Sequence, residues 1–135
     1  MKKCNLDCIS KYGDQLYGVF RVLVGLLFFM HGAGKMFGWF GGSAQALGSL
    51  VGVAGIVETL AGLMILLGLW TRLGGLAGAV TMLVAYFYVH VGGGLNPLTN
   101  GGEMAILYFV AFLVIMRDGA GSWSLEKQFW KKERF

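Results

Sequence analysis

Long apolar runs, separated by short polar or glycine-rich stretches, dominate the chain. Four such runs occupy about residues 16–40, 47–70, 73–91 and 102–116. A helix needs about 20 mostly apolar residues to cross a bilayer, so the first three runs are long enough and the last is near the lower limit. Gly, Ser, Asn and Pro residues in the breaks are typical of turns. The pattern predicts an all-α polytopic membrane protein with a bundle of four transmembrane helices.

Glu58 lies near the centre of the second run, and no other charged residue follows it before Arg72. A carboxylate at the centre of a spanning helix is costly, roughly 2.5–3.5 kcal/mol for Asp on insertion scales. Gly55 and Gly62 share its helical face at spacings of three and four residues, so a neighbouring helix can come close there. We therefore expect Glu58 to face other helices and to find a basic partner.

The composition fits a chain whose solvent is mainly lipid. Of its 135 residues 56% are hydrophobic and 13% are charged, whereas soluble domains are about 25% charged. Four short helices cannot form two independent cores, so we expect one domain. The residues directly after the first lysines are not apolar, so no cleaved signal peptide is predicted.

The distribution of Lys and Arg predicts the orientation, because cytoplasmic segments carry the excess of both. With four spans and a cytoplasmic N-terminus, both termini are cytoplasmic and Lys35 alone of the eleven basic residues lies outside. The net charge of +4 is then explained by orientation and lipid headgroups, and no nucleic acid is expected as a partner. The sequence predicts a multi-pass protein of the cytoplasmic (inner) membrane.

Two polar segments flank the spans. Residues 1–15 form a cytoplasmic N-terminal segment in which Cys4 and Cys8 are interpreted as reduced cytosolic thiols, since two thiols are only half of a typical zinc site. Residues 119–135 form a basic amphipathic tail. Ser124 is a candidate N-cap for a helix lying on the membrane surface, and a disordered basic tail is the alternative.

The ionisable residues of the spans are predicted to meet in the outer half of the bundle. At about 1.5 Å rise per residue, helix positions place five side chains within reach of one another: His31, Lys35, Glu58, His90 and Glu103. Each has a structural alternative. His90 can face water at the interface, and Lys35 can extend outward alone. Lys35 or His31 can form an ion pair with Glu58 that only sets helix register, and Glu103 can form a capping box with Asn100. Arg21, near the start of the first span, can extend toward the near headgroups.

Different ligands would need different geometry at this cluster. The two His and two Glu residues lack a typical metal-ligand spacing, so no metal is predicted. His31 and His90 differ by about seven residues in depth, which disfavours haem. A quinone head group needs a donor, an acceptor and apolar walls, which the cluster and its apolar neighbours can supply.

The polar positions resemble those of the DoxX family of small bacterial and archaeal membrane proteins. The matching stretches are Arg21-Val22-Leu23-Val24-Gly25, His31-Gly32-Ala33-Gly34-Lys35-Met36, Gly41-Gly42, Glu58, Gly62, Leu66-Leu67-Gly68, Thr71-Arg72, Ala85, His90, Gly101-Gly102-Glu103 and Gly119-Ala120-Gly121-Ser122-Trp123-Ser124-Leu125. They extend over about residues 17–126, and Glu126 stands where the family often has Asp. The resemblance implies four transmembrane helices. For some members it also implies quinone-dependent oxidation of thiosulfate, or complexes that handle thiol and oxidative stress.

These observations favour a membrane subunit of a quinone-linked oxidoreductase without a covalently bound cofactor, and the resemblance implies the thiosulfate:quinone type. In this hypothesis Glu58 accepts a proton, His31 relays it and Lys35 holds an anion or carbonyl, while His90, Glu103 and Arg21 contribute to substrate or quinone binding. The partners would be the lipid bilayer, a soluble redox protein and further copies of the chain. A non-catalytic anchor or assembly subunit, and a small oligomeric transporter or channel, are the alternatives.

Overall fold

The computed structural model describes residues 7–131, and the regular secondary structure of this part of the chain is entirely helical, without strands. The α-helices are α1 Asp7–Ser10, α2 Gly13–Phe37, α3 Leu50–Leu67, α4 Thr71–Ala85, α5 Pro97–Asn100, α6 Glu103–Asp118 and α7 Leu125–Trp130. Short 3-10 turns occupy Trp39–Gly41 and Val91–Gly93, and a π-helical turn occupies Tyr86–His90. Four long helices therefore correspond to the four predicted runs, with ends that differ by a few residues.

Within residues 7–131, three helical segments are long and apolar enough to cross a membrane. They are Gly13–Phe37, Leu50–Leu67 and Thr71–Gly93, the last comprising α4 and the π and 3-10 turns that continue it. Helix α6 has 16 residues, so its length does not identify a fourth span. Leu and Val side chains on the outer faces of the helices are about half exposed, as in Leu60 and Val80, which fits contact with lipid.

Helices α2 and α3 run antiparallel and pack through glycines. A Cβ atom on Gly25 would lie 2.5 Å from the backbone nitrogen of Leu66, and one on Gly32 would overlap the backbone of Thr59. Only hydrogen fits at these two positions, so the backbones approach closely, as small residues allow in membrane helices. The predicted small-residue face of α3 is confirmed, since Gly55, Glu58 and Gly62 are all buried there.

Helix α4 packs between α3 and α6, and α6 also contacts α2. Phe28 of α2, Ile65 of α3 and Phe112 and Ile115 of α6 are buried at the centre, with small side chains filling the space between them. The rings of Phe28 and Phe112 meet edge to face at a centroid distance of 4.6 Å. Phe28, Phe112 and the neighbouring Tyr108 form an aromatic layer, and Phe28 and Tyr108 also line a cavity described below.

The segment after α6 returns to the bundle. Ser124 caps α7 as predicted, because its hydroxyl accepts a hydrogen bond from the Lys127 backbone nitrogen at 3.1 Å. Ser124 and Glu126 are buried, and the Glu126 carboxylate accepts a hydrogen bond from the Trp70 backbone nitrogen at 3.0 Å. The described part of the tail is therefore helical and packs against the bundle through Ser124 and Glu126, and its position on the membrane surface stays a prediction. The last basic residues, Lys132 and Arg134, lie outside the described residues.

Candidate functional site

An ion pair between α2 and α3 forms the centre of the site. The Lys35 ammonium lies 2.5 Å from one Glu58 oxygen and 2.7 Å from the other. The Glu58 side chain is 1% exposed and that of Lys35 is 32% exposed. Gly55 makes room for the lysine, since a Cβ there would lie 2.9 Å from Lys35 Cβ. The prediction that Glu58 turns inward and meets a basic side chain is confirmed.

A cavity of about 140 Å³ lies beside this pair, and we call it the inner chamber. It is lined by Phe28, His31, Lys35, Glu58, Met82, Ala85, His90, Met104, Ala105 and Tyr108. A cavity needs roughly 10–15 Å³ of such volume to hold one water molecule, so the inner chamber has room for a small ring or several waters. Its walls combine a paired charge, two imidazoles and a phenol with aromatic and thioether groups.

Tyr108 of α6 is the polar residue of the inner chamber that the sequence prediction missed. Tyr108 is only 7% exposed, and its hydroxyl has no hydrogen-bond partner among the described residues. The ring stacks against Phe112 at 5.8 Å and meets Phe28 at 5.5 Å. The spacing of Ala105, Tyr108, Phe112 and Ile115 marks one helical face, and this signal in the sequence could have identified it.

His90 reaches the inner chamber because of the π-helical turn. The Val91 backbone nitrogen donates to the Tyr86 carbonyl, five residues earlier, so one extra residue enters this turn. In a regular helix Val89 would continue the inward face of Met82 and Ala85. Instead Val89 is exposed and His90 lines the chamber, with Nδ1 3.2 Å from the Asn100 carbonyl oxygen.

His31 lines the inner chamber but contacts Tyr108 rather than Glu58. The two rings meet edge to face at a centroid distance of 5.8 Å. His31 is exposed, and within the described residues its imidazole makes no hydrogen bond to the Glu58 carboxylate. Lys35 is therefore the side chain that contacts the buried acid.

A larger groove adjoins the inner chamber on the side of the α2–α3 connection, and we call it the outer groove. Its volume is about 490 Å³, and residues of both α2 and the connecting loop line it, including Met30, Trp39, Ser43 and Gln45. His31 and Lys35 line both cavities. These two side chains consequently form the wall between the outer groove and the inner chamber.

The structure places Arg21 far from the inner chamber. Its side chain is 1% exposed and donates hydrogen bonds to the backbone carbonyls of Ile65, Leu66 (3.1 Å) and Trp123 (2.5 Å). Ten residues separate it from His31, about 15 Å along α2. The prediction that it extends toward headgroups is wrong, because the end of α3 and the returning tail supply carbonyl acceptors within the protein.

Glu103 also lies outside the inner chamber. It is the exposed first residue of α6, and at 100° per residue it points away from the inward face that carries Ala105 and Tyr108. The predicted capping box is wrong as well, since Gly102 is the N-cap. Asn100 instead accepts a hydrogen bond from the Gly102 backbone nitrogen at 2.7 Å. Of the five residues predicted to cluster, the structure brings together His31, Lys35, Glu58 and His90.

Among residues 7–131 no group of three His, Cys, Asp or Glu side chains could hold a metal ion. Cys4 lies outside the described residues, so the interpretation of Cys4 and Cys8 stays a prediction. The chemistry available at the inner chamber is that of hydrogen bonding, proton exchange and apolar contact.

Comparison with known proteins identifies the chain at the level of family. The model of the family described as DoxX matches residues 17–91, which include most of α2 and all of α3 and α4. An uncharacterized protein of Haemophilus influenzae is 34% identical over 134 residues, 94% of this chain and 100% of the relative. A second uncharacterized protein of that organism is 30% identical over 63 residues, 47% of this chain and 42% of the relative. No solved structure matches. The chain belongs to the DoxX family.

Proposed function

We propose that the chain crosses the membrane four times, with both termini on the cytoplasmic side. Helix α6 supports the fourth span because its outer face is apolar, with Leu107 56% and Val110 52% exposed. The Lys and Arg distribution supports the orientation. Single cysteines replacing Lys11, Ser43, Thr99 and Ser122, in a background without the native cysteines, test it with an impermeant label. Labelling of 11 and 122 from opposite sides would contradict four spans.

We further propose that the inner chamber binds a quinone head group or a small sulfur species, in a membrane subunit of a quinone-linked oxidoreductase. The observation that carries this proposal is the Lys35–Glu58 pair, which lines the same cavity as aromatic and thioether side chains. An ionisable group within a membrane span is by default a candidate functional site. Ligand sites are typically apolar cavities with a few convergent polar groups.

In this proposal each residue has a role that follows from its position in the site. Glu58 exchanges a proton with the bound ligand. Lys35 contacts both oxygens of the carboxylate and also lines the outer groove, so it connects the two cavities. His31, on the wall between the two cavities, is placed to pass protons toward the groove. Reduction of a quinone to its hydroquinone adds two electrons and two protons. In this proposal a soluble redox protein supplies the electrons.

Quinone content of the purified protein tests this proposal. We expect protein extracted in a mild detergent to carry quinone, detected by mass spectrometry of the lipid extract, and Glu58→Gln to lower the amount. Glu103→Gln is the matched control, because the same chemical change then falls on an exposed residue outside the inner chamber. Equal quinone content in wild type, both variants and an unrelated membrane protein would contradict the proposal.

A non-catalytic anchor or assembly subunit is the second candidate. The observation in its favour is that Lys35 contacts both Glu58 oxygens, as in an ion pair that only joins two helices. In that case Glu58→Gln lowers the stability of the protein in detergent but leaves quinone reduction in membranes unchanged. In a redox subunit the same variant reduces turnover.

A further inference from the structure

We infer that Tyr108 is the specificity-determining residue of the inner chamber and that its hydroxyl donates a hydrogen bond to a carbonyl oxygen of a neutral ring. This inference rests on the proposed function and deepens it, because it distinguishes between the two ligand classes left open there. It also adds a hydroxyl from α6 to polar side chains that otherwise come from α2, α3 and the π-helical turn.

The Tyr108 hydroxyl is the group that points to a ligand. It is buried without a hydrogen-bond partner among the described residues, although its ring lies in an aromatic layer with Phe28 and Phe112. Buried hydroxyls nearly always have a partner, so an exception requires an explanation. Tyr108 lines the inner chamber, and a molecule bound there would supply the missing acceptor.

The charge of the inner chamber disfavours an anion as that molecule. The Lys35 ammonium is balanced by the Glu58 carboxylate at 2.5 and 2.7 Å, so the pair adds no net charge. Transfer of a small dianion such as thiosulfate into an apolar cavity is strongly unfavourable without cations to balance it. A neutral carbonyl compound has no such requirement, and its oxygen matches the phenolic donor.

His90 complements Tyr108 on the same cavity. Its Nδ1 lies 3.2 Å from the Asn100 carbonyl oxygen, which can only accept, so Nδ1 carries the proton. In the neutral ring Nε2 is then an acceptor. The inner chamber thus offers a donor in Tyr108 for a carbonyl oxygen of the quinone, and an acceptor in His90 for a hydroxyl of the hydroquinone formed from it. Met82 and Met104 supply soft walls for the ring itself.

Binding of defined probes to the purified full-length chain tests the inference. The probes are a short-tailed benzoquinone, the same tail on a benzene ring without oxygens, and thiosulfate, measured by calorimetry in detergent. Tyr108→Phe is compared with Tyr88→Phe, which removes an exposed hydroxyl instead. We expect Tyr108→Phe to weaken benzoquinone binding roughly 2- to 12-fold, the range for one neutral hydrogen bond, and to leave binding of the oxygen-free ring unchanged.

The stability of the variant separates a ligand contact from a structural role. The hydroxyl has no partner in the protein, so Tyr108→Phe should keep or raise the melting temperature of the ligand-free protein. A lowered melting temperature together with equal loss of both ring probes would overturn the inference.

The remaining outcomes distinguish the inference from the proposed function. Unchanged benzoquinone binding in Tyr108→Phe would overturn the inference, with a water satisfying the hydroxyl, and leave the proposed function standing. Binding of thiosulfate but not of benzoquinone would overturn the inference and leave the sulfur branch of the proposed function. Binding of none of the probes would overturn both.

Discussion

The Lys35–Glu58 pair provides the sharpest test of how this bundle is held together. In Lys35→Met the helices stay apolar at their contact, but the Glu58 carboxylate, 1% exposed, loses the amine that contacts both its oxygens. Removing one partner of a buried ion pair typically costs 3–5 kcal/mol. Because Lys35 is 32% exposed, part of its charge is screened, and we expect a loss near the lower limit, about 3 kcal/mol.

The double variant Lys35→Met/Glu58→Met should be more stable than Lys35→Met alone. Replacing both members of a buried pair by apolar residues is often neutral or stabilising, since no charge is left buried. We expect it to recover at least about 1 kcal/mol of the loss. Glu58→Met alone should cost less than Lys35→Met, because the partly exposed ammonium can turn outward to polar surroundings.

The assay is the free energy of unfolding in mixed micelles, followed by circular dichroism during a titration with sodium dodecyl sulfate. Lys11→Met serves as the control, because it removes a positive charge at an exposed position near the N-terminal end of the described residues. If the two single losses add up to that of the double variant within about 0.5 kcal/mol, the residues are not energetically coupled. The ion pair would then be a contact without consequence for stability.

Two further predictions concern packing and the tail. Gly32→Ala should lower the free energy of unfolding by about 1–3 kcal/mol, because the added methyl group overlaps the backbone of α3. Gly48→Ala is the control and should change this free energy little, because a Cβ at Gly48 would have no neighbouring atom within 4 Å. Glu126→Ala should release the C-terminal segment and speed its cleavage by trypsin, because the carboxylate that accepts a hydrogen bond from the Trp70 backbone nitrogen is lost. Glu103→Ala, at an exposed position, should leave the cleavage rate unchanged. Equal cleavage rates in the two variants would contradict the packing of the tail against the bundle.

Much of the fold could be predicted from the hydrophobic pattern. The four long helices follow the four apolar runs, since helix is the conformation in which a spanning segment satisfies its own backbone. The inward orientation of Glu58 could also be predicted, because a single carboxylate in a 24-residue apolar run, 47–70, has no favourable place against lipid. Its partner could be narrowed to Lys35 or His31 by depth, but not chosen between them.

The site itself could be predicted only in part, because depth along a helix does not give its rotation. Glu103 has the right depth for the cluster but the wrong face of α6. His90 has the wrong face in a regular helix and reaches the inner chamber through the π-helical turn. The residue types at 86–90 do not distinguish a π turn from an α turn, so the sequence does not show that His90 rather than Val89 faces the chamber.

By itself, the sequence determined that this chain is an all-helical, apolar protein with a buried acid in its second long helix, because insertion cost and backbone hydrogen bonding act on each segment alone. Which side chains meet was decided by the tertiary structure. The close approach of α2 and α3 at Gly32 and Gly55 selects Lys35 as the partner of Glu58. The packing of α6 places Tyr108 in the wall of the inner chamber. The returning tail supplies the Trp123 carbonyl to which Arg21 donates, so Arg21 is buried and does not reach the headgroups. These contacts join segments that lie far apart along the chain, so no local property of any one segment specifies them.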